Sequence, residues 1–190
     1  MAALIDLGSQ LKPINGFPNL STRIEIEINL LKNKKLDYCP SRNDYLNWIP
    51  FEFNLRIGEN ESYKYPSGFG AQLSLEELKY LFSGTEELFT SIREKTDEVC
   101  SGKTRGFKFF SMETYFGIEF RDAHDGLMVV EIWIVMDSLP ANREGGYWRG
   151  FSYTVLPSEV EIFIAELKEQ LEYIIRNTGC TCKGMYGCEC

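Results

Sequence analysis

The chain has 190 residues, enough to bury one sizeable core and too few to argue for two full domains without an evident linker. Apolar residues at 44% and aromatics at 14% exclude a chain kept disordered by low hydrophobicity. Its 28 acidic and 20 basic residues give a formal charge of −8, which argues against nucleic acid or an anionic membrane surface as partner and favours fast encounter with a basic protein.

No apolar run reaches the roughly 18 residues that span a bilayer, and the opening Met-Ala-Ala-Leu-Ile-Asp-Leu lacks a basic leader. A cytoplasmic location without membrane attachment is the expectation. The first clear element is residues 22–30, where Ile24, Ile26, Ile28 and Leu30 alternate with Glu25, Glu27 and Asn29 as in a half-buried strand. A polar excursion follows. Phe51, Phe53, Leu55 and Ile57 then alternate with Glu52, Asn54 and Arg56, and a turn around residues 58–62 leads to a poorer strand near Phe69 to Leu73.

Ser74-Leu75-Glu76-Glu77 has the form of a capping box and opens a helix whose apolar stripe is Leu75, Leu78, Leu81, Phe82, Leu88, Phe89 and Ile92. Gly84 falls in its middle, so one kinked helix or two short ones are expected. A short strand over Phe107 to Phe110 precedes a hairpin of Tyr115–Arg121 and Leu127–Met136, with Gly126 suited to positive φ at the turn. After a loop rich in Gly, Pro and Asn, Trp148–Val155 is the last strand. Ser158 and Glu161 read as a second capping box, opening a helix that aligns Val160, Phe163, Ile164, Leu167, Leu171, Ile174 and Ile175.

This order implies an α+β fold, a mainly antiparallel sheet with two amphipathic helices packed on one face. Residues 1–179 form the single domain and 180–190 a Cys-rich tail. The uncovered face would collect Glu25, Glu27, Glu52, Glu119, Glu131 and Trp133, an acidic surface studded with aromatics if the strands share it. Trp148, beside the loop, is a further candidate. The competing reading is an ordinary wet sheet face.

Little catalytic chemistry is visible. The single histidine, His124, lies in a polar turn between Asp122 and Asp125, with no motif supplying a nucleophile or oxyanion site. No phosphate-binding loop occurs, and Gly68-Phe69-Gly70 lacks the rest of a dinucleotide fingerprint. Glu113, Glu119 and Glu131 could make an acid–base pair only through a separation in space that sequence does not give. The chain therefore reads as a non-enzyme, with a carboxylate-dependent hydrolase as one alternative.

Cys39 and Cys100 read as ordinary thiols. Cys180, Cys182, Cys188 and Cys190 offer four sulfurs to zinc, though in C-x-C pairs tighter than the usual C-x₂-C. A metal-binding tail is the other alternative function, competing with an unstructured redox-active tail. No cofactor is required by the main reading.

From Trp48 to the end of the last helix, the layout resembles the WapI-type immunity proteins of bacterial contact-dependent toxin systems. The resemblance rests on W-I-P-F-E-F, L-S-L-E-E-L, Y-F-G-I-E-F ahead of V-V-E-I-W-I-V, and G-F-S-Y-T-V leading into the final helix. It covers about 130 residues, and the first forty or so residues and the Cys-rich tail depart from it. It implies a cytoplasmic antidote that binds and blocks the C-terminal domain of a cognate secreted toxin, often a nuclease acting on RNA. A nuclease is basic near its phosphate-binding cleft, and an acidic protein can occupy that cleft.

Overall fold

The computed structural model describes residues 1–5, 23–33, 35–65, 71–94, 105–112, 116–123, 126–136 and 147–181. Nine strands and two helices are formed by them: β1 (Ala2–Ile5), β2 (Ile24–Leu30), β3 (Trp48–Ile57), β4 (Glu61–Tyr65), β5 (Gln72–Ser74), α1 (Leu75–Arg93), β6 (Gly106–Phe110), β7 (Phe116–Asp122), β8 (Met128–Met136), β9 (Tyr147–Val155) and α2 (Pro157–Arg176). The class is α+β, with the strands divided between two antiparallel sheets. One runs β1-β2-β3-β4 with β5 also paired to β3, and the other runs β6-β7-β8-β9.

The long strand β3 organises the first sheet. Its residues 51–57 pair with β2 on one side, while on the other its first residues pair with β5 and its last with β4. Alternation decides what is buried: Ile26, Ile28, Phe51, Phe53 and Leu55 point inward, and Glu27, Glu52, Asn54 and Arg56 point outward. Gly58, at φ 61°, turns β3 into β4, a strand whose first two residues the sequence pattern put in the turn and whose remainder it left unassigned. β1 likewise went unread, because four residues show too short a pattern; Ala2 and Leu4 are nonetheless fully buried.

The inner faces of the two sheets meet through rings. Phe53 stacks on Phe116 with centroids 5.1 Å apart, Phe51 meets the same ring edge-on at 5.8 Å, and Phe109 completes the cluster. Near the sheet ends Tyr63 approaches Phe151. Helix α2 lays its buried stripe against β1 and β2, and α1 packs against β5 and β6. The Gln170 side chain joins α2 to the first sheet, accepting from the Leu30 amide at 2.8 Å.

Helix α1 starts with the expected capping box. Ser74 accepts from the Glu77 amide at 3.1 Å, and the buried Glu77 carboxylate accepts from the Ser74 amide at 2.7 Å. The same carboxylate accepts from the Met112 amide at 2.6 Å, fastening the segment after β6 to the start of the helix. Of the two expected forms, one kinked helix or two short ones, the chain makes a single helix through Gly84, and the missing side chain there makes room for the ring of Phe107. Helix α2 departs from expectation at its start: Pro157 is already helical, and the carboxylate of Glu159 accepts from the Leu156 amide at 2.9 Å. Ser158 and Glu161 therefore form no capping box, and Glu161 pairs with Arg93 of α1. The hairpin turn holds Gly126 at φ 73° as anticipated, while His124 lies outside the described residues.

Candidate protein-binding interface

The seven partner-binding candidates do not form one surface. Glu25, Glu27 and Glu52 stand on the outer face of the first sheet, and Glu119, Glu131 and Trp133 on the outer face of the second. Each face points away from the shared core, so the single acidic platform expected from alternation is corrected to two separate faces. Trp148 sits in β9 at the register position opposite Val135.

On the first sheet the acids are held by their neighbours. Glu25 lies opposite Arg56 and Glu27 opposite Asn54. Arg23 and Arg56 approach Glu25 at 3.5 and 3.7 Å, Arg56 also pairs with Glu27, and the Asn54 amide donates to Glu27 at 2.7 Å. Glu25 is only 9% exposed, which leaves Glu52 as the open carboxylate of the three. Such compensation leaves little local negative potential to draw in a basic partner.

The second sheet is organised in rows. Cross-strand register places Lys108, Glu119, Glu131 and Ser152 side by side, and one row further on Phe110, Gly117, Trp133 and Gly150. Like charges facing each other across strands destabilise a sheet, and Arg121 resolves this by bridging Glu119 at 3.5 Å and pairing with Glu131. Lys108 reaches Glu119 at 3.6 Å.

The aromatic row depends on its glycines. The Phe110 ring lies over Gly117, and a β-carbon on Gly150 would come within 3.0 Å of the Trp133 indole. Without side chains at these two positions the rings lie close along the sheet. Phe110 remains 44% exposed. Phe110, Lys108, Gly117 and Gly150 were not among the candidate residues; the available signal was glycine inside strands that otherwise alternate well.

The surplus negative charge sits elsewhere. Helix α2 carries Glu159, Glu161, Glu166, Glu169 and Glu172 against Lys168 and Arg176, and α1 carries Glu76, Glu77, Glu86 and Glu87 against Lys79 and Arg93. The two helices thus carry much of the surplus negative charge.

Other chemistry finds less support. Glu119 and Glu131 are both engaged by Arg121 on the outer face of a sheet, whereas acid–base catalysis needs carboxylates converging on a bound substrate. Among the described residues no cluster of three or more His, Cys, Asp or Glu side chains is arranged to hold a metal. Cys39 and Cys180 are disulfide-bonded, which corrects the reading of Cys39 as an ordinary thiol. A sulfur in a disulfide is no thiolate, so Cys180 in this state cannot serve as a zinc ligand. Cys182, Cys188 and Cys190 lie outside the described residues. The start of the tail is anchored, because the Thr181 amide donates to the Tyr38 carbonyl at 2.8 Å and the Tyr38 amide donates to Thr181 Oγ1 at 3.0 Å.

The family model of the WapI-like immunity proteins matches residues 19–174. The chain belongs to this family. No curated protein and no solved structure matches it. For a WapI-like chain, the match starts well ahead of Trp48, where the resemblance in sequence began. It takes in β2 through nearly all of α2 and leaves out β1 and the terminal cysteines. All seven candidate binding residues lie within the matched span. No helix among the described residues is long and apolar enough to cross a membrane.

Proposed function

We propose that this WapI-like immunity protein works in the cytoplasm, binding the C-terminal domain of a cognate secreted toxin and blocking it by occupancy rather than by chemistry of its own. The target is a basic domain of nuclease type. The observation that carries the reading is the outer face of the second sheet, where Glu119, Glu131 and Trp133 stand on two adjacent strands beside the exposed ring of Phe110. A rigid aromatic surrounded by polar groups is the usual anchor of a protein interface. The acidic helices add a field that steers a basic partner toward the chain.

The test is to co-express the chain with the C-terminal domain of a large secreted protein encoded immediately upstream of it. Growth should be rescued, the two should co-purify, and raised salt should slow their association. A pair that neither protects nor co-purifies sinks the reading.

A further inference from the structure

The ammonium of Lys108 sits 4.3 Å from the ring centroid of Trp133, 5.0 Å from that of Phe110 and 3.6 Å from Glu119 Oε2. Two ring faces and a carboxylate thus converge on one cation, and their attractions act in the same direction. The receiving groups are fixed while the cation is not. Phe110 rests over Gly117 and Trp133 against Gly150, whereas Lys108 projects from the edge strand β6 on a flexible stem and is 48% exposed. A lysine held in this way loses side-chain freedom for a weak contact, so an incoming cation can displace it without moving the backbone.

We propose that Trp133, Phe110 and Glu119 form a notch that receives an arginine of the bound toxin domain, with Lys108 as its placeholder in the free protein. The inference rests on the immunity reading for the identity of the partner. A guanidinium suits the notch better than an ammonium, because its plane stacks on a ring while its edge still donates to the carboxylate. Arg121 does not fill this role: it stands one row beyond Glu119 on the side away from the rings, reaching Glu119 Oε1 and pairing with Glu131. Lys108 caps part of both rings until a partner arrives, leaving the rest of Phe110 exposed.

The experiment titrates a penta-arginine peptide into the full chain and follows the indole N–H resonance of Trp133, assigned by its loss in Trp133→Phe. Lys108→Ala is expected to bind the peptide about two- to fivefold more tightly at this resonance. Lys64→Ala removes the same charge from the outer face of the other sheet and should leave the resonance's response at the wild-type level. Glu119→Gln preserves volume on the surface and should cancel the gain when combined with Lys108→Ala. Equal effects of Lys108→Ala and Lys64→Ala, or a gain that survives Glu119→Gln, overturn the notch. Because no toxin takes part, that failure leaves the immunity reading intact, just as failed co-purification leaves the notch standing.

Discussion

The ring of Phe107 lies directly on Gly84, so close that a β-carbon there has no room. In an exposed helix, replacing glycine by alanine gains about 1 kcal/mol. Here the clash dominates, since overpacking typically costs about 1–3 kcal/mol. Gly84→Ala is expected to lower the urea midpoint, and Phe107→Leu should relieve part of that loss in the double variant. A more stable Gly84→Ala protein would contradict the contact.

Glu77 is the second site where one residue joins distant segments. Its buried carboxylate accepts from the Ser74 amide, the Ser74 hydroxyl and the Met112 amide, at 2.7, 2.7 and 2.6 Å. Glu77→Ala leaves these donors without partners and is expected to destabilise by about 2–4 kcal/mol. Ser74→Ala removes the cap and the hydroxyl's bond to Glu77 but keeps the two amide bonds to the carboxylate, and should cost about 1 kcal/mol. Chemical denaturation of both variants tests the order; equal losses would mean that the Met112 contact adds nothing.

In the proposed function, steering and anchoring fall to different layers, which binding kinetics can separate. Neutralising Glu166 and Glu169 on α2 by glutamine should slow association with the co-purifying toxin domain at low salt and leave dissociation nearly unchanged. Trp133→Leu should do the reverse. Stopped-flow measurements at two ionic strengths provide the comparison, and a Trp133 variant that only slows association would assign the sheet face the wrong role.

The segment after α2 is tied to residues 36–39 by Thr181 and by covalent bonds at Cys39 and Cys180. Truncation after Thr178 is expected to cost about 2–4 kcal/mol, in the range of a lost disulfide. Adding a dithiol reductant to the full chain should produce most of the same loss and leave the truncated chain's melting point unmoved by comparison. Metal analysis of the reduced full chain and of the truncated chain tests the zinc expectation for the tail: bound zinc should disappear with residues 179–190, and equal content in both forms would remove it.

Much of the fold was legible in the sequence. Strict alternation in residues 24–30 and 51–57 identified inward and outward positions that the structure keeps. Ser74 with Glu77, and Gly126 in its turn, marked a helix start and a hairpin through chemistry confined to a few residues. The family resemblance drew on two of these local patterns, the strand that begins at Trp48 and the helix start at Ser74, together with the strand motifs after residue 115. The acids chosen as binding residues do stand on the outer sides of their strands, because period-two geometry is settled by neighbours along the chain, but the expected exposure fails at Glu25, which is buried.

What only the tertiary structure decided is which strands share a sheet, and in what register. That division put Glu25, Glu27 and Glu52 on one face and Glu119, Glu131 and Trp133 on another, brought Arg56 and Arg121 against the acids, and aligned Phe110, Gly117, Trp133 and Gly150 in one row. Gly84 shows the same limit, read locally as a weak point of the helix and found to be the seat of a ring from β6. The physical reason is range. Propensity, capping and alternation act over a few residues, whereas register, ion pairing and ring packing depend on segments far apart in sequence, brought together by burial of a common core.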